Sequence, residues 1–197
     1  MSYGMSIINT LITDRTQADV DRVKQLAAKG WQNMTDEEKT EWNGELKGAY
    51  NASDLNRVES AVKYLSELLA ELPDALKAYA EQRGVHWDAF FDVPYDATAY
   101  GVTVKTDWAM SDIPTPSDMV RYLANVILLR NALQYATADL PSGMDNLTHD
   151  GANAIEQALK GLDTAIATLR DATERYIDNT AAAWFYGGEI YAGEVTA

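Results

Sequence analysis

Asn51-Ala-Ser-Asp-Leu-Asn-Arg-Val-Glu-Ser-Ala-Val-Lys-Tyr-Leu-Ser-Glu-Leu-Leu-Ala-Glu-Leu72 is the stretch whose reading decides the fold. Leu55, Val58, Val62, Leu65, Leu69 and Leu72 recur at steps of three and four, which lays one apolar stripe along a helix facing a core. Asn51 stands where an N-cap belongs, its side chain placed to accept from a first-turn amide. Asp54 falls at the third helical position, where it suits the positive end of the helix dipole and can reach back as in a capping box. Pro73 then either kinks this helix or begins another, which runs through Leu76 and Tyr79 to Gly84.

The head of that helix is a phrase used three times: Thr or Asn, two residues, Asp, an apolar residue, any residue, Arg. The copies are Thr16–Asp19–Val20–Arg22, Asn51–Asp54–Leu55–Arg57 and Thr115–Asp118–Met119–Arg121. In each, the Arg lies within reach of the Asp on one helix face, and such an exposed pair contributes little. Tyr50 can staple to Leu55, and Pro114 to Met119; Pro116 sits at the first helical position, where a missing amide costs nothing. The third copy opens a helix with Met119, Tyr122, Val126, Leu129 and Leu133 on its apolar face, in the same register as copy two. The copies begin 35 and then 64 residues apart, so the fixed period of a solenoid is lacking.

Outward from these, Val20, Val23, Leu26 and Ala27 predict a first helix ending at Lys29-Gly30. Thr35-Asp-Glu-Glu38 is a further capping box, opening a short helix to about Leu46. The last long helix is expected from Thr148 to about Asn179 on the stripe Ile155, Ala158, Leu159, Leu162, Ile166, Leu169, Thr173 and Tyr176. Tyr100-Gly-Val-Thr-Val-Lys105 alternates like a strand, and Trp184 to Val195, with its Gly187-Gly188 pair, reads as extended. The expected fold is mainly α: a bundle of about five helices with a small β element from the 100–105 and 184–195 segments. It forms one domain over 1–197, with N-terminal helices in 14–84, an aromatic-rich irregular segment at 85–111, C-terminal helices in 112–180 and an extended segment at 184–197.

Sixteen basic against 30 acidic residues give a net charge of −14. That balance argues against nucleic acid and against an anionic membrane surface as partners. The chain has no cysteine, which excludes disulfides, thiolate metal sites and Cys nucleophiles. Its first residues do not read as a secretory signal, and no apolar run approaches the ~20 residues of a membrane span.

The chemistry-bearing residues do not assemble into a catalytic or metal-binding set. His86 and His149 are 63 residues apart and lack partner motifs. Gly187, Gly188 and Gly193 have the wrong spacing for a dinucleotide loop. Asp145 to Glu156 has the length of a calcium loop, but Leu147, His149 and Asp150 stand where ligands and a glycine belong. Glu189 and Glu194 flank an aromatic segment, a weak echo of glycosidase carboxylates. The expectation is therefore no enzyme, no cofactor and no metal. Trp87, Tyr95, Tyr100, Trp108, Trp184, Tyr186 and Tyr191 remain as candidate contacts, since Trp and Tyr either fill cores or anchor protein and sugar surfaces.

Several phrases together resemble a family. These are Leu11-Ile-Thr-Asp-Arg-Thr-Gln-Ala-Asp-Val-Asp-Arg22, Gly48-Ala-Tyr-Asn-Ala-Ser-Asp-Leu-Asn-Arg-Val58, Lys105-Thr-Asp-Trp108 with Asp112-Ile-Pro-Thr115, and Ala182-Ala-Trp-Phe-Tyr with Gly188-Glu-Ile-Tyr-Ala-Gly-Glu194. The set is similar to tail-associated or minor structural proteins of phages and prophages of gut Firmicutes. The resemblance implies a non-enzymatic virion component, made in the bacterial cytoplasm, that assembles with other tail proteins and with its own copies at a tail tip, baseplate or fibre base. Two other classes stand beside it: a host-surface or glycan-binding module using the aromatics, and an acidic cytosolic inhibitor mimicking nucleic acid.

Overall fold

The computed structural model describes residues 7–44, 46–86, 101–133 and 139–192, the side chains beyond 183 excepted. Helix α1 spans Gln17–Lys29, followed by a 3-10 turn at Trp31–Asn33 and helix α2 at Asp36–Asn43. The three long helices are α3 (Ala52–Gln82), α4 (Pro116–Ala132) and α5 (His149–Ala192). Residues 7–9 add one helical turn before the first phrase.

Each helix begins where its cap dictates. Thr16, Thr35, Asn51 and Thr115 accept the third helical amide, while Asp19, Glu38, Asp54 and Asp118 bond back to the cap. Thr148 starts α5, its Oγ1 accepting from the Gly151 amide at 3.1 Å. Gly30, at a φ of 73°, ends α1 in a backbone conformation that L side chains avoid. Helix α2 stops earlier than the pattern suggests, at Asn43. Pro73 lies inside an unbroken α3; the packing of Leu69, Leu72 and Leu76 on either side of it outweighs the single amide that the ring removes.

The core is one apolar layer shared by α3, α4 and α5. Val58, Leu65 and Leu69 of α3 meet Val126 and Leu129 of α4 and Ile155, Leu159 and Leu162 of α5, and Ile8 and Leu11 close one end. Burying a side chain of this kind stabilises by about 1.5–3 kcal/mol. A smaller cluster, Ala80, Val85 and Ile177, joins the far end of α3 to the second half of α5. Arg57 meets Glu156 near the two helix starts, and Tyr79 meets Asp178 near the other end. Helices α3 and α5 therefore run parallel.

The expected β element is not formed among the described residues. Segment 101–105 does alternate, with Val102 and Val104 partly buried against the core. Its backbone partners, however, are side chains of helices: the Lys105 amide donates to Glu59, and the Thr103 carbonyl accepts from Arg121 and Asn125. A segment whose backbone groups are satisfied in this way needs no neighbouring strand. Residues 184–192 are helical where an extended segment is expected. Once α5 is formed, each further residue adds a hydrogen bond at low entropic cost, and no proline follows Thr148 to stop it. Gly187 and Gly188 weaken those turns by roughly 1 kcal/mol each without ending them.

Candidate functional site

The three copies of the phrase lead to three different environments, and the second lies at the centre of the molecule. Asp54 and Arg57, expected to be an exposed pair, are buried together with Arg15 and Glu156. Arg15 Nη2 donates to Asp54 Oδ1 and to Glu156 Oε1, both at 2.7 Å. Arg57 reaches the same two carboxylates, through Nη2 to Asp54 and through Nε to Glu156 Oε2 at 3.2 Å. The Ile12 amide donates to Glu156 Oε2 at 2.5 Å. Asn153 holds the Arg15 backbone by donating to its carbonyl and accepting from its amide. Two guanidinium groups thus offset two carboxylates in a place largely shut off from water. Burial opposes the charge on Arg57, but Glu156 and Asp54 outweigh it and keep its pKa above the ordinary arginine value.

A pair of tyrosines roofs this quartet. The hydroxyls of Tyr50 and Tyr122 bond to each other, the rings meet edge to face, and the Arg15 guanidinium lies 5.4 Å from the Tyr50 ring centre. Burial pushes both phenols above their usual range, and the nearby carboxylates add to it.

One turn along α3, Glu59 is 1% exposed. It accepts from Arg121 Nη2 at 2.8 Å and from the Lys105 amide. Asn56 clamps the next part of the same loop, donating to the Trp108 carbonyl at 2.9 Å and accepting from the Trp108 amide at 2.7 Å. Asp54-Leu-Asn-Arg57 and Lys105-Thr-Asp-Trp108, two phrases that carry the resemblance, are therefore bonded to each other. The sequence reading missed Glu59 and Glu156. Their signal was a carboxylate set inside an apolar helix face, beside Val58 and Ile155.

Of the aromatic candidates, Trp108 is corrected: it is 7% exposed, its ring packs in the core, and Lys105 Nζ lies 4.9 Å from the ring centre. It is not available as a surface contact. Trp87, Tyr95 and Tyr100 lie outside the described residues. Trp184, Tyr186 and Tyr191 fall on the last turns of α5, and their side chains likewise lie outside the description. His149 is partly buried and faces Asp150, with Nε2 to Oδ1 at 3.3 Å. Three of the five large apolar side chains that stand exposed among the described residues fall in one short stretch: Met110, Ile113 and Val120.

A cleft of about 420 Å³ opens at the start of α5. Gln17, Val20 and Lys24 of α1 form one wall, residues 146–150 with Ala152 the other, and Arg15 and Tyr50 line it between them. The buried quartet cannot serve it as acid or base, because Glu156 is fully buried and bonded to both arginines. Among the described residues, no three His, Asp or Glu side chains are grouped to hold a metal, and no helix is long and apolar enough to cross a membrane. Compared with protein-family models, with curated proteins and with solved structures, the chain matches none.

Proposed function

We propose that this chain is a non-enzymatic structural component of a bacteriophage particle, tail-associated, working by protein–protein assembly at a tail tip, baseplate or fibre base. The resemblance of its phrases motivates this reading. One observation carries it further: within Asp112-Ile-Pro-Thr115, Ile113 is 88% exposed. Other residues of the resembling phrases, Asp54, Asn56, Arg57 and Trp108, hold the fold together. Ile113, with Met110 and Val120, stands exposed and belongs to neither apolar cluster formed by the described residues. Exposed apolar side chains gathered in one stretch are a feature of protein-binding surfaces.

The test is incorporation. The chain should be found in purified particles, and I113D combined with V120D should fold normally by circular dichroism yet fail to enter them. Finding the wild-type chain only in infected-cell cytoplasm would overturn the reading. The mass in solution refines it: a trimer fits a fibre base, a hexamer or dodecamer a tail ring.

A further inference from the structure

We propose that α1, the 3-10 turn and α2 form an arm that opens separately from the bundle and sets the width of the cleft at the start of α5. The packing divides at this point. Helices α3, α4 and α5 pack on one another, whereas α1 packs chiefly on the 3-10 turn and on α2. Leu26 and Met34, the buried apolar residues of the arm, belong to neither apolar cluster of the bundle. The ion pairs of the arm are also internal, Arg22 with Glu41 and Lys29 with Glu38.

Among the described residues, what joins arm to bundle is narrow. Arg15, riveted into the quartet, ends one connection, and residues 46–50 form the other. Between them lie an exposed ion pair, Lys47 to Asp14 at 2.6 Å, and one close backbone approach. A Cβ at Gly48 would fall 2.1 Å from the Asp19 carbonyl oxygen, so the chain rests directly on the first turn of α1. An opening at this joint breaks few contacts, and units with few buried contacts open at lower free energy than the whole molecule. Because Gln17, Val20 and Lys24 form one wall of the cleft, such an opening moves that wall and leaves residues 146–152 in place.

Native-state hydrogen exchange of the full chain tests this. Amides of 17–43 should show protection at least ~tenfold below those of 55–80 and lose it at lower denaturant. Gly48→Ala should lower protection in the arm and leave that of α3 and α5 unchanged. If that variant fails to fold, Lys47→Ala is the milder perturbation with the same expected direction. Arm and bundle losing protection together, at one denaturant concentration, would overturn the proposal. The absence of cysteine allows spin labels at K24C and D150C to report the width of the cleft. A broad or two-peaked distance distribution is expected, and a single narrow one would rule out movement of the wall.

Discussion

Asp54–Arg57 and Asp19–Arg22 are the same residue pair, at the same spacing, behind the same kind of cap. In α1 the arginine turns outward to Glu41, both side chains more than a third exposed. In α3 both residues are buried and share Glu156 and Arg15. Asp118–Arg121 stands between the two, its arginine partly exposed but bonded to the buried Glu59. The comparison teaches that the phrase specifies a helix start and nothing more; burial decides whether its charges decorate the surface or hold the bundle together. Solvent screens the α1 pair. The α3 pair has little solvent, so loss of one partner strands the others.

The sharpest way to break this comparison is to remove one carboxylate from each environment and measure urea unfolding. Glu156→Gln leaves two buried arginines with a single charge and is expected to cost about 3–5 kcal/mol. Glu59→Gln should cost about 1–3 kcal/mol, since Arg121 retains access to water. Glu41→Gln should leave stability nearly unchanged. An E156Q variant no less stable than E41Q would remove the distinction.

Asn56→Ala probes the joint between the two resembling phrases. It leaves the Trp108 amide and carbonyl unpaired, for a loss of about 1–3 kcal/mol, and amides near Trp108 should exchange faster while those of α5 do not. The caps supply the opposite control. Thr16→Ala and Thr115→Ala should each cost about 1 kcal/mol, alike in both copies, because the capping geometry is common to them.

The smallest effect is that of acid. Hydrogen bonds from Thr16 and Thr115 hold the Asp19 and Asp118 carboxyls below the ordinary aspartate value of 3.8. A carboxyl lowered on folding contributes stability above its unfolded pKa and loses it as the pH falls through the folded one. Tm should therefore stay level down to about pH 4 and decline below it; a rise in acid would contradict this. The tyrosines act at the other extreme. Tyr50 and Tyr122 are raised on folding, so their contribution is present below pH 10 and is lost as the pH climbs above it.

Helix starts were legible because caps are local: Thr16, Asn51, Thr115 and Thr148 each act on amides within three residues. So was the apolar stripe of α3, which follows a period. The quartet was not legible, because Arg15, Arg57 and Glu156 are brought together only by the tertiary fold. Segment 101–105 shows the limit of a period of two: Val102 and Val104 do turn to the core, but alternation does not say whether the hydrogen-bond partner is a strand or a helix side chain. The end of α5 was misread because aromatic and glycine content outweighed the absence of any stop signal.

The quartet also bears on how the chain is made. Arg15 leaves the ribosome well before Glu156, which lies 141 residues downstream of it. Until α5 has begun to emerge, Arg15 and Arg57 have Asp54 alone between them and lack the second carboxylate that completes the buried set. Helices α1 to α3 can form during synthesis, but their closure into a bundle waits for α5. Contacts of such separation slow folding. A nascent chain stopped before residue 148 should accordingly remain accessible to protease along its length, and should gain resistance in one step as Glu156 becomes available.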